Sequence, residues 1–268
     1  MHMLIISIAL VTSAFAEDSE FEGTEEAGQA FEETETKVSV EIGGALAAGN
    51  TQFWTLNGLA AASQKWSRNQ LAGELGANLG QGIVDSDEDG ILSNAERRDG
   101  RKQTAKKYWA EMRYDRFVGV KDSLYVLGGA LVDPFSGYDL RAHEQLGYSR
   151  ILLETDTRIL GEFGFDVAQE LYVEGIDPRS ADIIAVRVMF GIDHWFNENV
   201  SAIDTIEAYE NVIDPNDIRV LNEFAVTSRL SDLFGLKLSH KLSWDNRPVE
   251  GFRKTDHTAL ATIVATIL

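Results

Sequence analysis

From residue 37 onward the chain alternates apolar and polar residues with a period of two, in runs longer than an ordinary globular strand. In TRILGEFGFDVAQEL, Ile159, Gly161, Phe163, Phe165 and Val167 fall on one face and Arg158, Glu162 and Asp166 on the other. LFGLKLSHKLSWD sets Phe234, Leu236, Leu238, Leu242 and Trp244 against Lys237, Ser239, Lys241, Ser243 and Asp245. DIRVLNEFAVTSRL sets Val220, Phe224, Val226 and Leu230 against Arg219, Glu223, Thr227 and Arg229. In KKYWAEMRYD the polar face carries Lys107, Glu111, Arg113 and Asp115. About twelve strands follow from this pattern, near 37–49, 52–66, 69–83, 103–117, 123–133, 139–153, 157–171, 181–195, 199–212, 217–230, 233–245 and 256–268.

The connections between them alternate in length. Those around SRN, GVKDS, ETDT, NEN and SDL are short and polar, whereas those at 84–102, DPFSGYD, VEGIDPRSA and DNRPVEGFRKT are longer. Strands of ten or more residues, joined by short turns at one end and long loops at the other, match an outer-membrane barrel. The expected fold is therefore an all-β, up-and-down antiparallel transmembrane barrel of about twelve strands, spanning residues 37–268. A soluble barrel with an apolar core and polar exterior would show the same period. Two features favour the bilayer: mixed Arg, Lys, Asp and Glu that could pair across an interior, and Trp54, Trp66, Trp195 and Trp244 near strand ends, where an interfacial girdle would sit.

The N-terminus fits export. MHMLIISIALVTSAFA, residues 1–16, is too short to span a bilayer and ends in Ala14-Phe15-Ala16, the A-x-A spacing of a cleaved signal peptide. Residues 17–36 hold nine acidic side chains and no basic one, the composition of a disordered segment. The formal charge of −19 argues against nucleic acid as a partner. With no cysteine, disulfides, thiolate metal sites and cysteine nucleophiles are excluded.

Specific strings accompany this grammar in order: GNT at 49–51, YDRF at 114–117, DPFSGYDLR at 133–141, GYSRILLETDT at 147–157 and GFRKTDHTALATIVATIL at 251–268. Through them the chain resembles the domain-of-unknown-function family of salt-induced outer-membrane proteins, over roughly residues 37–268. The resemblance implies a Gram-negative outer-membrane barrel that uses the lipid bilayer and the barrel assembly machinery as partners. It implies no catalytic residues. The C-terminal Ala265-Thr266-Ile267-Leu268 departs from the terminal aromatic residue common in such barrels, and the acidic insert at 84–102 is foreign to the family pattern.

That insert contains DSDEDGILSNAE, which fits a twelve-residue EF-hand loop position by position. Asp85, Asp87 and Asp89 take positions 1, 3 and 5, and Gly90 makes the turn at 6. Ile91 offers its carbonyl at 7, Ser93 stands at 9, and Glu96 closes the loop at 12. Hard oxygen donors at this spacing select Ca²⁺, and the competing reading is a solvated acidic turn. The basic run Arg97, Arg98, Arg101 and Lys102 beside it reads as a solvated segment.

A calcium-dependent lipolytic barrel is the enzymatic alternative, and a soluble periplasmic calcium- or ligand-binding barrel is another. The lipolytic chemistry needs a histidine two positions before a nucleophilic serine. His143, His194, His240 and His257 are followed at that spacing by Gln145, Phe196, Leu242 and Ala259. The expectation is a non-enzymatic barrel of structural or channel type with a calcium-binding outer loop.

Overall fold

The computed structural model describes residues 31–47, 52–83 and 93–267. Twelve strands form one closed antiparallel barrel in which each pairs with its neighbours in sequence, and the first pairs with the last. They are β1 (Phe31–Ala47), β2 (Phe53–Ser67), β3 (Asn69–Gly82), β4 (Lys102–Phe117), β5 (Asp122–Asp133), β6 (Tyr138–Glu154), β7 (Thr157–Tyr172), β8 (Ser180–Asn197), β9 (Val200–Asn211), β10 (Ile218–Arg229), β11 (Phe234–Asp245) and β12 (Thr255–Thr266). The expected strands are recovered to within a few residues, except at the start. β1 begins at Phe31 and takes in the last six residues of the acidic segment assigned to 17–36. The long β2 offers them a ladder, with Glu35 opposite Lys65, and Lys37 Nζ lies 3.3 Å from the Glu35 carboxylate. Pairing and charge compensation thus draw into the sheet a stretch whose composition alone reads as solvated. The signal peptide expected at 1–16 and the remainder of the acidic segment lie outside the described residues.

The barrel has two unlike ends. At one, β2–β3, β4–β5, β6–β7, β8–β9 and β10–β11 are joined by connections of at most four residues. At the other all but the four-residue β5–β6 connection are longer, and the β3–β4 loop carries the six-residue helix α1 (Asn94–Asp99). We call these the turn end and the loop end. The β5–β6 connection in DPFSGYDLR is a 3-10 turn over Pro134–Ser136, capped by the Asp133 carboxylate, which accepts from the Ser136 N–H at 3.2 Å. It closes on Gly137 at φ +93, a left-handed conformation natural to glycine. A Cβ there would stand 2.9 Å from Cβ of Val249, so this glycine also lets the β11–β12 loop lie against the β5–β6 turn.

Burial shows which face of each strand looks where. Phe163 and Phe165 are each 52% exposed, whereas Glu162 is 3% and Asp166 1% exposed. The same inversion holds around the barrel: Leu75, Met112, Leu146, Val188 and Leu238 are exposed, while Lys65, Lys107, Arg113, Arg187 and Glu223 are buried. The polar faces therefore point inward, the reverse of the soluble-barrel arrangement. Trp54, Trp66 and Trp244 share the outward register near strand ends. Trp195 does not: it lines the interior at the turn end, with the Arg158 guanidinium 5.8 Å from its ring centroid. It shares the inward parity of Arg187 and Met189 on β8.

Closure is made by β1 and β12. Their register runs over five pairs, from Ser39 opposite Thr266 to Gly43 opposite Thr262. β10 and β11, by contrast, pair from Arg219 opposite Asp245 through Arg229 opposite Gly235.

Candidate functional site

The inward residues make the lumen, and the candidate site is built from them. At its centre Glu162 on β7 bridges two buried guanidiniums. Arg113 Nη2 donates to Glu162 Oε1 at 2.7 Å and Arg187 Nη1 donates to Oε2 at 2.6 Å. Arg113 also holds Asp115 in a fork, at 2.8 and 2.9 Å. Arg187 reaches Glu207 at 3.0 Å and accepts company from Tyr125, whose hydroxyl oxygen takes a bond from Nη1 at 2.8 Å. The Tyr209 hydroxyl donates to Glu207 at 2.6 Å. Tyr125 itself lies flat beneath Arg113, its ring centroid 4.1 Å from the guanidinium carbon. Planar forks and aromatic faces suit arginine better than lysine at such a crossing.

The glycine paired with Tyr125 across β5 and β6 explains how Tyr125 fits. It is 1% exposed and fills space that a side chain at residue 147 would occupy, because a Cβ on Gly147 would sit 2.5 Å from the Tyr125 hydroxyl and ring. The plug of β4, β5, β7, β8 and β9 side chains thus spans the lumen at mid-height.

Smaller networks line the rest of the wall. Lys237 donates to Glu41 at 3.0 Å and Lys241 pairs with Glu223 at 3.1 Å. Glu170 sits between Arg219 at 2.6 Å and Arg141 at 3.4 Å, and Arg219 also approaches Asp217 and Asp245. The Trp109 indole points inward and donates to Glu74 at 2.9 Å. Pairing satisfies most of these charges, since an isolated buried charge would be very costly. Several atoms keep no direct hydrogen-bond partner, among them both amide atoms of Asn78 and the Ser149 hydroxyl. Such groups need water or a solute to complete them.

On either side of the plug the lumen widens. The turn-end vestibule is a cavity of about 270 Å³ walled by Gln70, Glu74, Asp115, Trp195 and Arg229 among others. The loop-end vestibule, of about 290 Å³, lies between the plug side and the β11–β12 loop, with Val249 and Phe252 of that loop in its wall.

Of the calcium ligands expected in the insert, Asp85, Asp87, Asp89 and Ile91 lie outside the described residues. Ser93 and Glu96 are described, and they meet. Ser93 is the N-cap of α1, and its N–H and Oγ both donate to Glu96 Oε2, at 2.9 and 3.0 Å. The Glu96 N–H returns a bond to Ser93 Oγ at 3.3 Å, completing a capping box. Positions 9 and 12 of the expected loop are thus the N-cap and N3 residues of α1. In the basic run that follows, Lys102 pairs with Asp99 at 2.8 Å and Arg98 Nε donates to the Asn94 carbonyl at 3.1 Å.

The histidines divide by face. His143 is inward and touches Asp166 at 3.2 Å, His194 meets the Thr157 hydroxyl at 2.8 Å, and His240 and His257 contact each other at 3.4 Å on the outer wall. The sequence reading counted inward charges but named no partners. Strand parity finds which residues enter the lumen, yet not which of them meet across it.

Comparison with known proteins agrees with this architecture. The family described as "Protein of unknown function, DUF481" matches residues 40–267. No curated protein matches the sequence. Among solved structures, the chain is similar to the NanC porin, with 10% identity and a TM-score of 0.53, covering 86% of this chain and 100% of that one. It is also similar to the translocator domain of the autotransporter NalP from Neisseria meningitidis, with 9% identity, a TM-score of 0.44 and 88% of each chain covered.

Proposed function

Because the chain belongs to the DUF481 family, whose description assigns no activity, we propose a function from its own surface and lumen: an integral outer-membrane β-barrel of structural or channel type. One observation carries this reading, the inverted burial that puts Phe163, Phe165 and Val188 outside and Arg113, Glu162 and Arg187 inside. An apolar exterior is costly in water and at home in lipid. The salt-induced outer-membrane character implied by the sequence resemblance belongs to the same reading. The partners are then the outer-membrane bilayer and the barrel assembly machinery, with export directed by the segment at 1–16. The turn end faces the periplasm and the loop end faces outward, following the usual disposition of short turns and long loops.

The plug makes this barrel a closed or narrow conduit rather than a general diffusion pore, since the guanidinium and carboxylate groups of Arg113, Glu162 and Arg187 cross the lumen in direct contact. No catalytic role is assigned to the lumen. The loop-end insert adds calcium binding through Asp85, Asp87, Asp89, Ile91, Ser93 and Glu96. The described pair Ser93 and Glu96 fits that group, because Glu96 stands at the first turn of α1 with its carboxylate turned back toward position 9. Calcium there would offset the five carboxylates of the loop and order the outer surface.

The test is fractionation of cells followed by heat-modifiable migration in detergent and planar-bilayer conductance with and without calcium. Recovery with outer membranes, a folded species that migrates differently before boiling, and small or gated conductance are expected. Recovery as a detergent-free soluble monomer would overturn the reading.

A further inference from the structure

The loop-end vestibule holds three buried polar atoms whose bonding the fold leaves incomplete. Lys107 is 1% exposed, and its Nζ lies 3.7 Å from Asp133 Oδ2, beyond hydrogen-bonding distance. Arg141 Nε approaches Glu170 at 3.4 Å without hydrogen-bond geometry. Asp166, 1% exposed, gives one carboxylate oxygen to His143 and has no donor on the other. All three residues line the same cavity of about 290 Å³.

Of its other charges, Arg253 and Asp256 are not buried, and the rest are already engaged. Arg219 is held by Glu170 at 2.6 Å and by Asp245 at 3.3 Å, and Asp133 caps the turn at Ser136. The vacancies in bonding are therefore two cationic donors and one anionic acceptor. Leu131, Val249 and Phe252 supply the apolar part of the same lining. A cavity at the small end of ligand-site volumes, mostly closed and carrying a few convergent polar groups, has the character of a small-molecule site.

We propose that the loop-end vestibule binds a small zwitterion of the α-amino-acid class with an apolar side chain. Its carboxylate would answer Lys107 and Arg141, its ammonium would answer Asp166, and its side chain would lie against Leu131 and Phe252. A solute with only one charge leaves one of these buried groups unanswered, and an unmet buried polar group is the usual source of discrimination between close analogues. The site is open to solutes arriving at the loop end, past the β11–β12 loop. The proposal goes beyond the barrel reading and does not use the calcium insert.

The experiment is titration calorimetry on the full chain folded in detergent micelles, with calcium held constant. The probes are L-phenylalanine, L-phenylalaninamide, 3-phenylpropionate and 3-phenyllactate. Saturable binding of L-phenylalanine is expected, weakened at least tenfold in each analogue that lacks one head. Lys107→Met should weaken L-phenylalanine and 3-phenylpropionate while leaving the carboxylate-free amide unchanged. Asp166→Asn should weaken L-phenylalanine and the amide but not 3-phenylpropionate. That crossed pattern separates a binding role from a general loss of packing, and the wild-type panel decides the matter should either variant not fold. Equal affinity for all four probes, tightest binding of 3-phenyllactate, or no saturable heat for any of them would overturn the proposal. The last outcome would mean that the vestibule holds only water. A chain that fails to enter membranes would refute the barrel reading without touching this titration, because the two are measured separately.

Discussion

Glu162→Gln tests whether the centre of the lumen is a dry plug or a wet pore. The substitution keeps the volume and removes one charge that lies 2.7 Å from Arg113 and 2.6 Å from Arg187. Two like charges are then left facing a neutral amide. In bulk-like water each lost pair is worth about 1 kcal/mol at 4 Å, and about 4 kcal/mol at an effective dielectric near 20. Asp115 still holds Arg113 through two bonds, and Glu207 still holds Arg187, so part of the loss is recovered. The expected net cost is about 3–5 kcal/mol, the range for breaking one partner out of a buried ion network. The assay is equilibrium urea unfolding of protein folded in lipid or detergent, read by tryptophan fluorescence. A companion Arg187→Gln and the double variant complete a cycle, in which the double variant should cost well under the sum of the singles. A loss below about 1 kcal/mol with additive singles would refute the reasoning, because water-screened charges behave that way.

Other outcomes follow from the same structure. Phe165→Arg, on the outer wall at mid-strand, should lower folding stability in bilayers by about 2–4 kcal/mol, measured by the same urea transition. Gly147→Ala should cost about 1–3 kcal/mol, because its Cβ would meet the Tyr125 ring and hydroxyl within 2.6 Å. Its urea midpoint should fall, whereas alanine at Gly58, whose nearest neighbour would be the Glu41 carbonyl oxygen at 4.0 Å, should leave it unchanged. Calcium titration calorimetry should give a dissociation constant of about 10⁻⁴ to 10⁻³ M for the wild type and no comparable heat for Glu96→Gln. Equal heats would remove Glu96 from the ligand set.

How much of this was legible beforehand can be judged from particular residues. The alternation of TRILGEFGFDVAQEL sufficed to place Glu162 and Asp166 on one face, because a strand has only two faces and the polar one is shared along it. What alternation cannot carry is the partner across the lumen. Lys237 meets Glu41 over a separation of 196 residues, and Arg187 meets Tyr125 over 62. Those contacts depend on register and on the stagger with which the sheet closes, which are properties of all twelve strands together. Trp195 shows the other limit. Its place near a strand end suggested a lipid-facing girdle, yet it shares the inward parity of Arg187 and Met189 on β8 and lies beneath Arg158. At the N-terminus composition misled for a simple reason: nine carboxylates read as solvated until a partner strand and two lysines, Lys37 and Lys65, stand beside the last of them. In the insert the described pair Ser93 and Glu96 forms a capping box at the start of α1, and the other expected ligands lie outside the described residues.

The five-pair closure between β1 and β12 gives the barrel a zip with a known position. β1 and β12 are the first and last strands of the sheet, so their pairing closes the longest loop in it. Inside it runs a clasp: Lys237 on β11 reaches past β12 to Glu41 on β1, and the Thr262 hydroxyl on β12 donates to the same carboxylate at 3.4 Å. A pull that separates the ends of the chain would load this clasp before any hairpin.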